Sequence, residues 1–199
     1  MLNLTHNYRL ILASRSMRRR QLLYEAGLEF DVIDWDFDES YPEAEGLSGK
    51  EIAEYLARSK ATQLAKEFSN YNRVIITADT VVWCNGEVLG KPTNYESAFR
   101  ILKTISANTH EVITGICLKR GSLLHVFSET TKVIFDELSD EMIDFYIKNY
   151  HPFDKAGAYG IQEWIGLVGN AAIEGSYYNV MGLPVHRLLK ELKKITENK

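Results

Sequence analysis

The stretch ITADTVVWCNGEVLGKP, residues 76–92, carries the clearest fold signal in the chain. Its first half is apolar and rich in β-branched residues, which is typical of a buried strand. The dipeptide Asn85-Gly86 follows and favours a type I′ turn, so a second short strand should fold back on the first. The carboxylate of Asp79 lies inside this apolar strand, where it is costly unless it has a partner or lies at an opening.

The segments on either side alternate between strand and helix signals. Short apolar runs predict further strands near residues 9–14, 30–34, 110–120, 122–137 and 167–176. Amphipathic patterns predict helices near residues 15–26, 48–68, 93–105, 139–150 and 183–195. Because hairpins are common, we predict an α/β fold of the mixed α+β kind, with a mixed, largely antiparallel, elongated sheet wrapped by helices. No flexible linker divides the chain, so residues 1–199 should form a single domain.

Three local signals mark helix ends. Ser48 with Glu51 is a capping box that opens the second helix, and Thr93 with Glu96 is a capping box for the third. Gly27 is well placed to end the first helix, because glycine readily adopts the left-handed conformation that follows a helix.

Composition and charge restrict the classes of partner. The net charge is −4, so a large nucleic-acid surface is not expected. No apolar run reaches the length of a membrane span, and the first residues lack the pattern of a secretory signal. Cys84 and Cys117 lie in apolar runs and form no CxxC motif, which favours reduced thiols and a cytoplasmic location. The histidines are scattered, so we predict no zinc site.

The segment SRSMRRR, residues 14–20, leads from a strand through two serines into a helix. A helix N-terminus offers unpaired N–H groups and a positive dipole end, so three arginines there are unfavourable for the helix alone. A bound phosphate would offset this, since guanidinium groups match phosphate oxygens. Ser14 and Arg18 are therefore candidates for an anion site, and solvated surface arginines are the alternative.

Asp79 has two interpretations from the strand alone. It is either a metal ligand or general base, with the hydroxyl of Thr80 beside it, or a strand-end carboxylate paired with a nearby arginine. Lys60 on the second helix and Lys91 at the end of the hairpin's second strand are candidate positive charges for a ligand. The ordinary role of a lysine is a solvated surface charge, and that alternative stays open for both.

Two loops carry further candidates. The acidic loop around Glu39 has a D-x-D-x-D spacing, but it lacks the glycine and the preceding helix of a calcium loop. Glu39 is still a candidate to join Asp79 on a divalent ion, with a solvated loop as the alternative. The small residues of DKAGAYGIQ, residues 154–162, let backbone approach a ligand closely, and Gln162 offers a donor and an acceptor to a base edge. The alternative is a tightly packed contact loop.

These features together indicate metal-assisted phosphate chemistry on a nucleotide-like ligand. Taken in chain order, six segments also resemble the Maf family, nucleoside triphosphate pyrophosphatases related in fold to inosine triphosphate pyrophosphatases. The segments are LASRSMRRRQLL, LARSKA, ITADTVVWCNGEVLGKP, HEVITGICL, DKAGAYGIQ and IEGSYYNVMGLP. They span almost the whole chain, and several motifs in the family's order make the resemblance specific.

The resemblance implies hydrolysis between the α- and β-phosphates, which releases a nucleoside monophosphate and pyrophosphate, with magnesium or manganese as cofactor. It implies that Asp79 is the proton acceptor and that Glu39 is its metal partner. It also implies that a nucleotide binds in a cleft between two lobes and that the protein is a homodimer. The phosphates would meet Arg18, Lys60 and Lys91.

Three positions resemble the dTTP/UTP pyrophosphatase branch of the family: Arg18, Thr80 and Gln162. The 7-methyl-GTP branch typically lacks the threonine and has glutamate in place of the glutamine. Glutamine suits a pyrimidine 2,4-dione, which offers both N–H and C=O, whereas glutamate only accepts. The alternatives are another base preference, including modified pyrimidine nucleotides, and a non-catalytic nucleotide-binding regulator of cell division.

Two residues depart from the family pattern. Met17 stands where proline is usual, and Arg15 stands where a small residue is common. We expect Met17 to loosen the first helical turn and Arg15 to add positive charge near the phosphates. Activity should survive, because neither change touches Asp79.

Overall fold

The computed structural model describes residues 8–38, 40, 41, 46–64 and 72–197. Its strands are β1 Arg9–Ala13, β2 Phe30–Ile33, β3 Arg73–Cys84, β4 Glu87–Val88, β5 Thr109–Arg120, β6 Leu123–Phe135 and β7 Asn170–Glu174. Its α-helices are α1 Met17–Glu25, α2 Gly49–Gln63, α3 Tyr95–Ile105, α4 Asp140–Tyr150, α5 Trp164–Val168, α6 Tyr177–Val180 and α7 Val185–Glu197. Two short 3-10 turns, Pro152–Asp154 and Ala156–Ala158, lie between α4 and α5.

The strands form one mixed sheet in the order β2-β1-β3-β5-β6-β7, with β4 attached to β3. The pairs β1–β2 and β1–β3 are parallel, and the other pairs are antiparallel. The predicted mixed, largely antiparallel sheet with helices around it is therefore confirmed. Antiparallel pairing dominates because tight turns join β3 to β4 and β5 to β6.

One edge of β3 is open in the middle of the strand. On this side β1 pairs with β3 only as far as Ile76, and β4 begins to pair at Trp83. Between them, residues 77–82 have no strand partner on this side in the part of the chain that the structure describes. On its other side β3 pairs continuously with β5 from Ile75 to Trp83. The gap exposes the strand edge at the position of Asp79.

The hairpin after β3 has the predicted turn. Asn85 and Gly86 have φ angles of 52° and 85°, as a type I′ turn requires. The second strand is shorter than predicted, because β4 ends at Val88. Lys91 therefore lies three residues beyond the strand and not at its end.

The helix caps match the predictions in part. The capping box at Ser48 is present, and α2 is described as far as Gln63. Its predicted end near residue 68 lies outside the described residues. The predicted box that begins at Thr93 is wrong by one residue. Asn94 caps α3, since its side-chain oxygen accepts the N–H of Ser97 at 2.8 Å. The Ser97 hydroxyl accepts the N–H of Asn94 in return, and asparagine is at least as good an N-cap as threonine.

The two faces of β3 meet different layers of helices. Ile76, Ala78 and Val82 belong to the main core, which also contains side chains of α1, α3, α4 and α7. Val81, on the opposite face, packs against α2. None of the helices in the described ranges has the length and apolar character needed to span a bilayer.

Helix α2 lies unusually close to the sheet because small residues line the contact. Ala53, Ala57 and Ala61 are fully buried, and the hydroxyl of Thr77 donates to the carbonyl oxygen of Ala57 at 2.7 Å. A Cβ atom on Gly115 would lie only 2.1 Å from the carbonyl oxygen of Ala53. Glycine is therefore required at this point of β5 for α2 to approach.

The first prediction concerns this contact. Gly115→Ala should push α2 away from the sheet and lower the free energy of unfolding by about 3 kcal/mol, since the clash is with backbone. Urea unfolding measures the loss. Gly90→Ala is the control, because a Cβ there meets nothing within 4 Å. Equal unfolding midpoints for the two variants would contradict the account of the contact.

Candidate functional site

A cavity of about 740 Å³ opens along the unpaired edge of β3. It is lined by seven of the residues predicted from the sequence, which come from both ends of the chain. They are Ser14, Arg18, Lys60, Asp79, Thr80, Lys91 and Gln162. Glu39, the remaining predicted site residue, lies outside the described residues. Segments far apart in sequence therefore meet at one place.

The centre of the site is an ion pair between α2 and β3. The ammonium of Lys60 lies 2.5 Å from the carboxylate of Asp79. Their side chains are 6% and 15% exposed, and the ammonium also lies 5.8 Å from the centre of the Phe37 ring. The partner of the strand carboxylate is thus a lysine from the neighbouring helix and not a local arginine. The close packing of α2 on the sheet brings this lysine within reach.

The strand, turn and helix at residues 9–25 form as predicted. The hydroxyl of Ser16 caps α1 by accepting the N–H of Arg19, and the hydroxyl of Ser14 accepts the N–H of Ser16 at 3.1 Å. Met17 is the first residue of α1, the position that favours proline. Met17 is 70% exposed, and the turn is held by the hydroxyls of Ser14 and Ser16.

Arg18 is the arginine predicted for the site, whereas Arg19 has a structural role that was not predicted. The guanidinium of Arg19 donates to the carbonyl oxygens of Ala78 at 2.9 Å and Gly182 at 2.8 Å. It also donates to the hydroxyl of Thr80 at 3.0 Å. Arg19 thereby gives the carbonyl of Ala78, on the open edge of β3, a hydrogen-bond donor. It also fixes the side chain of Thr80, the residue after Asp79.

The arginines on either side of it have different surroundings. Arg20 donates to the backbone carbonyl of Ser14 and to Asp34, so it connects α1 to the turn before it and to the end of β2. Arg18 lies 3.5 Å from the carboxylate of Asp154, and its side chain is 40% exposed. Burial raises the pKa of Asp154, but the hydrogen bond from the neighbouring lysine and the charge of Arg18 bring it below its usual value. Arg18 has the loosest of these contacts and faces the cavity.

A buried polar network holds the loop that carries Gln162. The ammonium of Lys155 lies 3.1 Å from Glu163, whose carboxylate also accepts the hydroxyl of Tyr146. The hydroxyl oxygen of Tyr146 accepts the N–H of Gly160 at 2.9 Å. Burial first, and then the bond to Glu163, raises the pKa of Tyr146, so it acts as a neutral donor. Gln162 is exposed between these anchored residues and lines the cavity.

The same loop is fastened to the hairpin and to a buried histidine. Gly157 has a φ of 71° and donates its N–H to the carbonyl oxygen of Leu89 at 2.9 Å. The hydroxyl of Tyr159 lies 2.7 Å from Nε2 of His110, and burial lowers the pKa of His110 to about 4. Tyr159 lines the cavity, and its hydrogen bond to the buried His110 holds this part of the cavity wall.

The carboxylate of Asp79 is a hard oxygen ligand of the kind that magnesium and manganese prefer. Within the described ranges, no group of three or more His, Cys, Asp and Glu side chains could hold a metal ion. Magnesium commonly uses one or two carboxylates and takes its other ligands from substrate phosphates and water. The donor set fits an ion that arrives with a phosphate-bearing substrate.

Comparisons with known proteins find similar chains over almost the whole length. The family model described as Maf-like protein matches residues 9–195. The chain is 48% identical to the dTTP/UTP pyrophosphatase of Phocaeicola vulgatus over 196 residues, which cover 98% of this chain and 100% of that protein. It is 45% identical to the protein of that name from Bacteroides thetaiotaomicron over 196 residues, with the same coverage. It is also 45% identical to the one from Porphyromonas gingivalis over 200 residues, which cover both chains completely.

The second prediction follows from the buried His110. Between its usual pKa near 6.5 and its folded value of about 4, the unfolded chain takes up a proton that the folded protein excludes. The free energy of unfolding therefore falls as the pH drops through this window, and above it the imidazole is neutral in both states. His110→Gln should remove roughly 3 kcal/mol of this loss, measured by urea unfolding between pH 7 and pH 4.

His186→Gln is the matched control, because His186 is an exposed histidine on α7. It should keep the wild-type dependence of stability on pH. If the His110→Gln protein also kept that dependence, the buried neutral histidine would not be its source.

Proposed function

Because this chain belongs to the Maf-like protein family, we propose that it is a nucleoside triphosphate pyrophosphatase that hydrolyses dTTP and UTP. The products are the nucleoside monophosphate and pyrophosphate. The observation that carries the proposal is the Lys60–Asp79 ion pair, which lies in a cavity that Arg18 and Lys91 also line. The name shared by its relatives supports the same substrates.

The cations of the cavity suit a triphosphate. Arg18 is held only at 3.5 Å by an exposed carboxylate, so a phosphate can replace that contact with a charge-assisted hydrogen bond. Lys91 and Lys60 add two ammonium groups, one from the segment after β4 and one from α2. The Ser14 hydroxyl lies at the start of the turn into α1 and can donate to a phosphate oxygen. These groups would bind the negative charge that grows on the leaving phosphates.

Asp79 is the proposed proton acceptor. A water oxygen forms a bond to the α-phosphorus, and the bond from that phosphorus to the bridging oxygen breaks. Asp79 takes the proton that the water loses, and the bridging oxygen leaves with pyrophosphate. Lys60 balances the charge of Asp79 in its partly buried position before the substrate arrives.

A divalent cation is part of the proposal. Asp79 would hold it together with Glu39, which lies outside the described residues. When bound, magnesium or manganese would neutralise phosphate charge and polarise the phosphorus–oxygen bonds.

The proposed base preference depends on two residues that line the cavity. Gln162 and Thr80 both line it, and an amide side chain can donate to a carbonyl and accept from an N–H of the same base. A pyrimidine 2,4-dione offers this pair, whereas a glutamate at position 162 would suit a base rich in donors.

The homodimer, the single domain and the cytoplasmic location stay predictions.

The third prediction tests the reaction. Pyrophosphate release is measured with dTTP, UTP, CTP, GTP, 7-methyl-GTP and ITP, with magnesium, with manganese and after removal of metal. Cleavage of dTTP and UTP should require metal. Asp79→Asn should lower kcat by about 10²- to 10⁴-fold, which is the usual contribution of a proton acceptor.

Asp31→Asn is the control carboxylate, because Asp31 pairs with Arg9 on the surface of β2. It should retain wild-type activity. Cleavage of a different base would leave the role of Asp79 intact and refute the assignment of Arg18, Thr80 and Gln162. Full activity of Asp79→Asn would refute the proposed proton acceptor.

A further inference from the structure

A chain of hydrogen bonds runs from α1 through the cavity wall to α6. Arg19 donates to the hydroxyl oxygen of Thr80 at 3.0 Å, and that oxygen lies 3.0 Å from the hydroxyl oxygen of Thr114. The Thr114 hydroxyl in turn lies 3.2 Å from the backbone carbonyl oxygen of Asn179. Thr114 is fully buried, whereas Thr80 is partly exposed and lines the cavity.

The direction of every bond in this chain is determined by its two ends. A hydroxyl has one hydrogen and two lone pairs, and a carbonyl oxygen can only accept. Thr114 must therefore give its hydrogen to the carbonyl of Asn179. The hydrogen between the two threonines then belongs to Thr80. Since Arg19 occupies one lone pair of Thr80, the hydroxyl has one lone pair left and no hydrogen to offer.

We propose that Thr114 is a positioning residue that fixes the Thr80 hydroxyl as a hydrogen-bond acceptor toward the substrate. The nucleotide group that meets Thr80 is consequently a donor. This inference rests on the proposed function and deepens it, because it states that Thr80, one of the residues assigned to base preference, presents a hydrogen-bond acceptor to the substrate. It also gives Arg19 the role of holding the other side of the same oxygen.

The acceptor state of Thr80 is held by rigid surroundings. Thr80 and Thr114 are direct partners in the β3–β5 register. The side-chain amide of Asn179 donates to the carbonyl of Val112 at 2.9 Å and to the hydroxyl of Thr131 at 3.0 Å. These bonds fix the backbone that accepts from Thr114. Reversing the Thr80 hydroxyl would leave two lone pairs facing each other in a buried place, which is unfavourable.

Two donors are common to dTTP and UTP and meet the requirement: the imide N3–H of the base and the 3′-hydroxyl of the sugar. The 2′-hydroxyl is excluded, because dTTP lacks it. Cytosine carries an acceptor at N3, so an imide contact would reject CTP by opposing two lone pairs. Replacement of the 3′-hydroxyl by fluorine tests the sugar, since fluorine keeps the size and removes the donor.

The experiment compares Thr114→Val with Thr114→Ser in the full chain. Valine keeps the shape and removes the hydroxyl, so Thr80 becomes free to turn its hydrogen toward a ligand. Serine keeps the hydroxyl. The kcat/KM of UTP is divided by that of CTP, and separately by that of 3′-fluoro-3′-deoxy-UTP. One of these ratios should fall about tenfold in Thr114→Val and stay at the wild-type value in Thr114→Ser.

The ratio that falls identifies the donor. A fall in the UTP/CTP ratio assigns the base imide, and a fall in the UTP/3′-fluoro ratio assigns the sugar hydroxyl. If neither ratio differs between the valine and serine variants, the inference is wrong. Thr196→Val is the control, because Thr196 is a buried threonine of α7 whose hydroxyl donates to the carbonyl oxygen of Leu192 within its own helix. It should change neither ratio, and Thr114→Ala replaces Thr114→Val if the latter does not fold.

Failure of the proposed function gives a different result. In that case the wild-type protein releases no pyrophosphate from UTP at all. The same comparison is then made with dissociation constants of the α,β-methylene analogues of UTP, CTP and the 3′-fluoro nucleotide. Unchanged ratios of these constants in Thr114→Val would overturn the inference independently of catalysis.

Discussion

The site depends on one ion pair, Lys60 with Asp79 at 2.5 Å, and on the helix contact that makes it possible. A carboxylate in the middle of an apolar strand needs a compensating charge close by. Helix α2 supplies it because Gly115 and three alanines let the helix backbone approach the sheet. The gap between β1 and β4 leaves β3 open around Asp79, on the edge opposite the one that pairs with β5. Charge compensation and access to a ligand therefore occur at the same residue.

Most of the fold could be predicted because its signals are local. The apolar run of β3 and Asn85-Gly86 define the hairpin, and the Ser48 capping box is found where the pattern indicated. The errors are also local: Asn94 caps α3 in place of Thr93, because both residue types can cap and the sequence does not decide between neighbours. The length of β4 was also overestimated, since the strand ends at Val88.

The site was harder to predict, because its bonds join residues far apart in the chain. Arg19 was missed within a run of three arginines, although it lies three and four residues before the buried Leu22 and Leu23 and so faces the core. Lys155 gave no signal, since its partner Glu163 is defined only by the folded loop. The family motifs identified residues that line the cavity. The structure shows which neighbouring groups pair with them or form hydrogen bonds to them.

The most direct test of this account is a double-mutant cycle on the ion pair. The kcat/KM for UTP is measured for Lys60→Met, Asp79→Asn and the double variant. If the two residues act as one unit, Lys60→Met should lower kcat/KM by about a hundredfold in the wild-type background and have little further effect beside Asp79→Asn. The same factor in both backgrounds would show that the two side chains act independently, and would contradict the claim that their pairing forms the reaction centre.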